Sequence, residues 1–568
     1  MESSAPEPAH DAHGGSLAIA AAVAAGVERL FTLSGAHIFP LYDAATRGAH
    51  QLPIIDCRHE QTVVFAAEAT AKLTRRPGFA ALTAGPGVTN GVSAIATAHF
   101  NGSPVLVIGG RAPAFRWGSG ALQELDHPPI LKPVTKLAAT VTATERIGTE
   151  VAQALRVATI PHRGPVFLDI PMDHLFGRVP LAAVDEAGAQ AHERVRLDAD
   201  PEGVRQVATL LLAARQPVLV LGGDVWVDGA EAAALRMATT LGLPTITNGM
   251  GRGVVPSGHR LLVSRARSTA LGQADLVLVV GTPLDFRLGY GSFGGQGGAT
   301  ATQVVHLGDS ASALGADGGA ESKVATAVAG DLTLLLDQIT AAVATKAGAT
   351  PQQRWRGWAE QLFVAHRAAI AADASILTSD APAIHPARIY GELIPRLDPD
   401  AVVIGDGGDF VSFAGRFVEA KMPGRWLDPG PYGCLGTGPG YAIGARLAHP
   451  HAQVVMLLGD GAAGFSLMDV DTLVRHRLPV VMVMGNNGIW GLERSPMRYL
   501  YGYDVAATLF QDTRYDQVVS ALGGAGETVT DPGEVGPALD RAFAAGVPYL
   551  VNVLTDPDVG YPRTTTGV

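Results

Sequence analysis

The chain has very little cysteine. Only Cys57 and Cys434 occur among its 568 residues, and they lie far apart in the sequence. Two distant cysteines provide neither the closely spaced ligands of a structural zinc site nor the disulfide framework of a small secreted domain. This scarcity excludes those two classes and favours a reducing compartment, so we expect a cytoplasmic protein.

The sequence also lacks long apolar runs and an excess of positive charge. The apolar run at residues 17–27 is too short to cross a bilayer and predicts an alanine-rich buried helix. No basic region precedes it, so we expect no signal peptide. A net charge of −11 and a pI near 5.8 argue against nucleic acid or a membrane as partner.

Short apolar runs that end in glycine are abundant. Examples lie at residues 104–110, 217–223, 274–281, 401–406 and 454–460. Unbroken apolar strands are buried on both faces, which indicates parallel sheets covered by helices. We therefore predict an α/β protein in which each domain is a parallel sheet flanked by helices, with ligands at the carboxyl ends of the strands.

Two polar stretches, at 174–202 and 341–386, interrupt this pattern and are interpreted as linkers. A chain of 568 residues is too long for one hydrophobic core, and about three domains are expected. The predicted domains are residues 13–185, 200–340 and 380–555, followed by a tail at 556–568.

The strongest functional pattern is Gly459-Asp460-Gly461-Ala462-Ala463, followed after 21 intervening residues by Gly485-Asn486-Asn487. An apolar strand ends at Gly459, residues 468–476 have a helical pattern, and a second apolar strand precedes the asparagines. Strands of a parallel βαβ unit end side by side, so Asp460 and Asn487 are expected at one sheet edge.

The residue types at this edge suit a divalent cation. A carboxylate from Asp460, an amide oxygen from Asn487 and a main-chain carbonyl, assigned to Ile489, are the hard oxygen ligands that Mg²⁺ prefers. The glycines beside Asp460 allow the backbone to approach a phosphate closely. The alternative, for a Gly-Asp-Gly tripeptide that stands alone, is an ordinary turn at a strand end.

In these motifs the chain resembles the thiamine-diphosphate-dependent family that includes acetolactate synthase and oxalyl-CoA decarboxylase. The resemblance extends to Asp56-Cys57-Arg58-His59-Glu60-Gln61 and to the segment 82–91 around Gly85-Pro86-Gly87. It implies the three-domain fold of that family, with pyrimidine-binding, central nucleotide-type and diphosphate-binding domains in chain order. It also implies that Glu60 activates the cofactor by hydrogen bonding to its aminopyrimidine ring.

The same resemblance assigns further cofactor contacts. The segment 430–440 is similar to the one that holds the cofactor bent, with the carbonyl of Gly433 accepting the 4′-amine and Leu435 between the rings. The cofactor-binding residues implied in this way are Pro86, Asn90, Asp409, Gly433, Leu435, Gly459, Asp460, Gly461, Ala462, Asn487 and Ile489.

The central segment resembles a domain that holds FAD, ADP or no nucleotide in the family. Arg163, Arg265 and Arg267 are candidates to face an ADP. The acidic residue usual after the late strand is replaced by Gly308. This departure leaves solvated arginines as the alternative to a nucleotide site.

Residues 120–127 and 132–136 resemble the branch of the family that acts on coenzyme A thioesters, namely oxalyl-CoA decarboxylases and 2-hydroxyacyl-CoA lyases. Decarboxylases commonly have Tyr-Glu where this chain has Leu122-Gln123. An apolar residue followed by a neutral donor and acceptor suits a departing aldehyde or ketone better than a departing carboxylate. Leu122-Gln123 therefore favours a lyase over a decarboxylase.

Three further residues are assigned to the substrate. Glu493 is the candidate acid/base for the 2-hydroxyl group, with a surface pair with Arg494 as the alternative. Trp490, with Leu122, is a candidate for the pocket that holds the acyl substituents. Arg563 in the tail is expected near a phosphate of coenzyme A if the tail closes as a lid, and a disordered terminus is the alternative.

The resemblance implies reversible cleavage of a 2-hydroxyacyl-CoA, with 2-hydroxyisobutyryl-CoA as the candidate substrate, to formyl-CoA and an aldehyde or ketone through a carbanion held by the cofactor. The alternatives are oxalyl-CoA decarboxylase, an acetolactate-synthase-like carboligase and a non-catalytic regulatory protein. Because the family's cofactor lies between domains of two subunits, a homodimer is the expected minimum and a homotetramer the usual state.

Overall fold

The structure is a computed structural model that describes residues 12–189, 196–294, 302–314, 324–348 and 350–562. It contains three sheets of six, five and six strands, and every strand pair within them is parallel. The chain divides into two compact units, residues 1–194 and 195–568. The first unit contains one sheet and the second contains two.

The first unit is a six-stranded sheet in the order β2-β1-β3-β4-β6-β5. Leu17 and Ile19 of its first helix are buried in the same core as Leu106 and Ile108 of a central strand, which explains the alanine-rich apolar run. The strands are β1 (Leu30–Thr32), β2 (Ile54–Asp56), β3 (Gly78–Leu82), β4 (Val105–Arg111), β5 (Leu137–Thr140) and β6 (Val166–Pro171). The helices are α1 (Gly14–Ala24), α2 (Phe39–Arg47), α3 (Glu60–Thr74), α4 (Pro86–Phe100), α5 (Pro128–Leu131), α6 (Ile147–Thr159), α7 (Met172–Phe176) and α8 (Leu181–Gly188).

The second sheet has five strands in the order β11-β10-β9-β7-β8. Its central strands are uninterrupted apolar runs that are buried along their whole length, as expected for a parallel sheet covered on both faces. The strands are β7 (Pro217–Leu221), β8 (Thr245–Thr247), β9 (Leu276–Val280), β10 (Gln303–Gly308) and β11 (Val324–Ala329). The helices are α9 (Pro201–Ala213), α10 (Gly223–Val227), α11 (Glu231–Leu241), α12 (Arg267–Gln273), α13 (Leu332–Ala347), α14 (Arg356–Ala372) and α15 (Ala374–Leu377).

The third sheet has six strands in the order β13-β12-β14-β15-β17-β16. Because β12, β14 and β15 are neighbours and parallel, the segments that follow them emerge at the same edge. The strands are β12 (Val402–Asp406), β13 (Trp426–Leu427), β14 (Val454–Gly459), β15 (Val481–Asn486), β16 (Ala525–Val529) and β17 (Tyr549–Leu554). The helices are α16 (Pro386–Leu393), α17 (Asp409–Phe417), α18 (Gly438–Ala448), α19 (Asp460–Ser466), α20 (Val470–Arg475), α21 (Gly491–Tyr501), α22 (Tyr515–Ala521) and α23 (Val535–Ala544).

The prediction of an α/β protein built from parallel sheets flanked by helices is confirmed. Each sheet falls within one predicted domain segment, and the boundaries of those segments remain predictions. The stretch 174–202, interpreted as a linker, contains α8. Within the described part of the chain, no helix combines the length and the apolar character that a membrane crossing requires.

Candidate active site

The carboxyl ends of β14 and β15 bring the two metal-binding candidates to one edge. Gly459 and Gly485 are partners in the register of these two strands, so Asp460 and Asn487 follow at nearly the same level. Asp460 is 3% exposed and Asn487 is 8% exposed. Two buried oxygen-bearing side chains beside each other at a strand edge form the kind of donor set that the sequence predicts.

Asp460 also contacts the turn after β15 directly. Its Oδ2 accepts a hydrogen bond from the main-chain N–H of Gly488 at 3.0 Å. The Oδ1 of Asn487 accepts from the N–H of Ile489 at 3.2 Å. Burial raises the pKa of Asp460 to about 6, and hydrogen bonds from backbone amides, including that of Gly488, oppose this rise. A buried carboxylate that is costly to ionise gains most from a nearby cation.

A cavity of about 260 Å³ opens at this edge. It is lined by residues from the segments that follow β12, β14 and β15 and from the turn before α18. All of the cofactor and metal candidates that the sequence places in the third segment line it, together with Trp490 and Glu493. These residues are Asp409, Gly433, Leu435, Gly459, Asp460, Gly461, Ala462, Asn487, Ile489, Trp490 and Glu493.

The glycines of the cavity wall differ in the space around them. A Cβ on Gly461 would lie 2.6 Å from the ring of Trp490, so only glycine allows this close approach. A Cβ on Gly459 would meet no atom within 4 Å, because this glycine faces open space. The hard oxygen ligands and the glycine-lined wall fit a diphosphate held through a divalent cation.

A second carboxylate, Asp406 at the end of β12, organises the turn that carries Gly433 and Leu435. Its Oδ1 accepts from the N–H of Gly436 at 2.9 Å and its Oδ2 from that of Gly438 at 2.8 Å. Burial raises the pKa of Asp406 to about 6, and these amide hydrogen bonds oppose the rise. The sequence analysis missed this role, although Gly405-Asp406-Gly407 repeats the pattern around Asp460.

Trp490 and Glu493 lie at the start of α21, directly after the turn that carries Asn487. The N–H of Trp490 donates to the carbonyl of Ala507 at 2.8 Å, which fixes the beginning of this helix. Glu493 lines the cavity and is solvent-exposed. The predicted alternative, a pair with Arg494, is not what the structure favours: Arg494 donates to Asp558 at 2.9 Å and to the carbonyl of Pro557 at 3.1 Å.

The tail returns to the cavity wall as far as it is described. The N–H of Tyr561 donates to Oδ1 of Asp409 at 2.8 Å. The ring of Tyr561 packs edge-on against Phe413 with centroids 5.1 Å apart. Arg563 lies outside the described residues, so its contact with coenzyme A and the closure of the tail remain predictions.

In the first unit, Glu60 begins α3 at the end of the turn that follows β2. It is 8% exposed, and Nδ2 of Asn90 donates to its Oε2 at 3.1 Å. Pro86 begins α4, whose first turn approaches the same carboxylate, because a Cβ on Gly87 would lie 3.7 Å from Oε1 of Glu60. The structure therefore brings the three predicted residues Glu60, Pro86 and Asn90 to one place.

Gln123 lies beside this place, in a left-handed backbone conformation with φ of 60°. A Cβ on Gly85 would be 2.9 Å from the Cβ of Gln123, so the two turns are in close contact. Leu122 is 78% exposed and makes little contact with its own unit. Both substrate candidates thus occur on a surface loop beside the first turn of α4.

The arginines assigned to a nucleotide make internal contacts. Arg265 forms an ion pair with Asp373, and Arg267 donates to the carbonyl of Arg287 at 2.5 Å. Burial is the main cause that lowers the pKa of Arg267. Arg163 belongs to the first unit. Binding of ADP by the central segment remains a prediction.

Comparison with known proteins identifies the family. The N-terminal TPP binding domain of thiamine pyrophosphate enzymes matches residues 12–130, the central domain matches 204–339, and the C-terminal TPP binding domain matches 406–553. The match covers the first turns of α3 and α4 in the first unit and the whole edge around Asp460 and Asn487 in the second.

The similar proteins include some named acetolactate synthase and others named 2-hydroxyacyl-CoA lyase 2. Acetolactate synthase large subunit IlvG of Mycobacterium tuberculosis is 49% identical over 558 residues, covering 98% of this chain and 98% of that protein. 2-hydroxyacyl-CoA lyase 2 of Caenorhabditis elegans is 34% identical and covers 91% of this chain and 85% of that protein. The human protein of the same name is 32% identical over 95% of this chain and 90% of its own length.

These similarities confirm the resemblance to thiamine-diphosphate enzymes and to their 2-hydroxyacyl-CoA lyase branch. The three domain matches lie in the order and the places that the resemblance implies. The chain belongs to the thiamine pyrophosphate enzymes, and thiamine diphosphate is its cofactor.

Proposed function

We propose that this enzyme reversibly cleaves the bond between C1 and C2 of a 2-hydroxyacyl-CoA, giving formyl-CoA and an aldehyde or ketone. The observation that carries the proposal is the position of Glu493. Its carboxylate is exposed on the wall of the cavity that also contains Asp460, Asn487 and Trp490. A carboxylate that is open to solvent and beside the cofactor site is suited to move a substrate proton.

The residues would act in separate roles. Asp460, Asn487 and the carbonyl of Ile489 would hold Mg²⁺, and through it the diphosphate. When bound, thiamine diphosphate supplies a nucleophilic carbon that adds to a carbonyl group and accepts the electron pair of the bond that breaks. Glu60, held by Asn90, would form a hydrogen bond with the pyrimidine ring.

The substrate would be handled by a second set of side chains. Glu493 would accept the proton of the 2-hydroxyl group as the C1–C2 bond breaks and return it in the reverse direction. The amide of Gln123 would hydrogen-bond to polar substrate oxygens. Leu122 and Trp490 would contact the apolar substituents at C2, which suits a branched acyl group such as that of 2-hydroxyisobutyryl-CoA, and Arg563 would lie near a coenzyme A phosphate.

A second candidate function is the formation of acetolactate from pyruvate. The observation that favours it is the 49% identity, along nearly the whole length of both chains, to a protein named acetolactate synthase. Both reactions would use the same cofactor. Acetolactate formation joins two pyruvate molecules with release of CO₂, whereas the proposed reaction in reverse joins formyl-CoA to an aldehyde or ketone without loss of CO₂. Leu122-Gln123 argues against the oxalyl-CoA decarboxylase alternative.

The proposal is tested by supplying both sets of substrates to the purified enzyme with thiamine diphosphate and Mg²⁺. With formyl-CoA and acetone or an aldehyde, we expect a 2-hydroxyacyl-CoA, detected by mass spectrometry. Acetolactate from pyruvate, with no CoA adduct, would establish the second candidate instead. CO₂ from oxalyl-CoA alone would indicate the decarboxylase.

A further inference from the structure

A fully buried carboxylate in the first unit contacts two side chains that the proposed mechanism does not use. Asp169 lies in the middle of β6 and has no exposed surface. Its Oδ1 lies 2.9 Å from Nδ1 of His127, which is also completely buried. Its Oδ2 accepts from the guanidinium group of Arg111. One carboxylate therefore anchors a histidine on one side and an arginine on the other.

The contact through His127 leads to the turn that precedes α4. The main-chain N–H of Gly85 donates to Nε2 of His127 at 3.0 Å. Because a main-chain amide only donates, Nε2 must be the acceptor, and the ring proton lies on Nδ1, where it is donated to Asp169. Gly85 has φ of 57°, and a Cβ at this position would lie 2.9 Å from the Cβ of Gln123. His127 thus holds the turn against which Gln123 packs.

The contact through Arg111 leads to the exposed loop that carries Gln123, residues 112–126, here called the Gln123 loop. The guanidinium carbon of Arg111 lies 3.6 Å from the ring centroid of Trp117, and its Nη1 lies 3.0 Å from Oδ1 of Asp126. Arg111 therefore contacts the loop near its beginning and at its end. A stacked and paired guanidinium of this kind is a specific anchor, because its planar group fits only one orientation.

The Gln123 loop is also stabilised from within. The carboxylate of Glu124 accepts from the N–H of Gly118 at 3.1 Å and from that of Ala121 at 3.3 Å. Gln123 itself has the left-handed backbone conformation that non-glycine residues adopt only where the surroundings hold them. Most of the loop is exposed to solvent. Its conformation must therefore come from a few polar anchors and not from burial in a core.

We propose that Asp169 positions Gln123 through two arms, His127 with Gly85 on one side and Arg111 with Trp117 and Asp126 on the other. Asp169, His127 and Arg111 are positioning residues, since they contact the turn at Gly85 and the Gln123 loop and have no assigned contact with the substrate. The inference rests on the proposed function in one respect, namely that Gln123 contacts the substrate. The arrangement of the loop itself is independent of that role.

Two substitutions of His127 separate its two hydrogen bonds. His127→Asn places an amide nitrogen near the former Nδ1, which keeps the bond to Asp169 and removes the acceptor for Gly85. His127→Gln places an amide oxygen near the former Nε2, which keeps the acceptor for Gly85. His127→Asn leaves the buried N–H of Gly85 without an acceptor, so we expect this change to lower kcat by about tenfold. His127→Gln keeps an acceptor for that N–H, and we expect it to lower kcat less.

Hydrogen exchange of the free enzyme, measured by mass spectrometry, distinguishes a local change in the loop from a general loss of structure. Peptides from the Gln123 loop and from residues 83–88 should exchange faster in His127→Asn and in Arg111→Lys, while peptides from β7 and β14 keep their wild-type rates. His259→Asn is the matched control, because Nδ1 of His259 also accepts a main-chain N–H, that of Leu261 at 3.2 Å, in the central segment. It should change neither the loop nor turnover.

A double-mutant cycle completes the test. In a Gln123→Ala background, His127→Asn should lower kcat little further, because both changes remove the same group from its place. Unchanged exchange in the loop, or kcat losses that simply multiply, would overturn the positioning role. If Gln123→Ala has wild-type turnover, the role of Gln123 in the proposed function fails, and the exchange data still decide whether Asp169 holds the loop.

Discussion

The carboxylate of Asp460 accepts a hydrogen bond from the main-chain N–H of Gly488 at 3.0 Å, although the two residues are 28 positions apart. The contact joins the segment after β14 to the turn after β15. It keeps Asn487, the preceding residue, beside Asp460 before any ligand is bound. Preorganised donors reduce the loss of conformational entropy on binding, so this contact is expected to favour binding of the cation and cofactor.

Removal of the Asp460 carboxylate should abolish binding of the cofactor. We expect Asp460→Ala to lower the affinity for thiamine diphosphate in the presence of Mg²⁺ by a factor of about 100 or more, since the ion loses the carboxylate ligand that is proposed for it. Isothermal titration calorimetry of the cofactor-free protein measures this. Asp540→Asn is the control, because Asp540 is exposed and pairs with Arg396 at the surface. Wild-type affinity in Asp460→Ala would remove this residue from the metal site.

Protonation of Asp406 should make stability depend on pH in a defined window. Its pKa is about 6 in the folded chain, above the ordinary value of 3.8, so the folded chain binds this proton more tightly than the unfolded chain. The contribution of Asp406 to stability is therefore fully present below about pH 4 and is lost as the pH rises through about 6, by about 3 kcal/mol in total.

Thermal unfolding of the wild type and of Asp406→Asn, followed from pH 4 to pH 7.5, checks this prediction. As the pH rises to about 6, the Tm of the wild type should fall relative to that of Asp406→Asn. Above about pH 6, the difference between the two Tm values should stay constant. Protonation leaves Asp406 one strong acceptor oxygen, so one of the hydrogen bonds from Gly436 and Gly438 weakens, and turnover should fall below about pH 6. A difference in Tm that does not vary with pH would show that Asp406 does not titrate in this range.

Loss of the Glu493 carboxylate should impair the chemistry and not the binding of the cofactor. Since general acid/base catalysis contributes roughly 10²–10⁴-fold, Glu493→Gln should lower kcat for carbon–carbon bond formation by about that factor. Calorimetric affinity for thiamine diphosphate should stay within about twofold of wild type. Glu360→Gln, a change at an exposed residue that pairs with Arg260, serves as control. Unimpaired turnover in Glu493→Gln would exclude it as the acid/base.

Glu60 and Asp460 should complement each other between subunits. The family resemblance implies that a site takes Glu60 from one subunit and Asp460 from another, so Glu60→Gln and Asp460→Ala should each be inactive alone. Unfolding and refolding the two variants together should restore about a quarter of the activity, as random pairing in a symmetric dimer gives one intact site in four. Light scattering on the wild type should show a dimer or a tetramer. No recovery in mixed dimers would contradict the shared site.

Much of the candidate diphosphate-binding edge was predictable because its information is local. Two apolar runs that each end in glycine lie here at a spacing that leaves room for one helix between them. In a parallel βαβ unit, two such strands end side by side. Asp460, Asn487 and their glycines are therefore found where the sequence predicts them. The helix at 468–476 was only partly correct: helical structure begins already at Asp460, in α19, and α20 ends at Arg475.

Other contacts could not be predicted from the sequence around the residues that form them. Asp169, His127 and Arg111 are separated by up to 58 residues, and nothing near any of them in the sequence indicates that they meet. The pattern Gly405-Asp406-Gly407 could have indicated Asp406, but it does not indicate the amides of Gly436 and Gly438 as its partners, because these belong to a turn 30 and 32 residues later in the chain. Such contacts arise when long-range packing removes polar groups from water and forces each to find a partner.

By itself, the sequence determined the class of fold, the order of its sheets along the chain and the meeting of Asp460 and Asn487 at one sheet edge, since these follow from periodicity and spacing. Only the tertiary structure decided which buried carboxylates hold the turns around them and which candidates share one cavity. The physical reason is that burial and hydrogen-bond geometry depend on residues that are distant in the chain and become neighbours only when the sheets and helices pack.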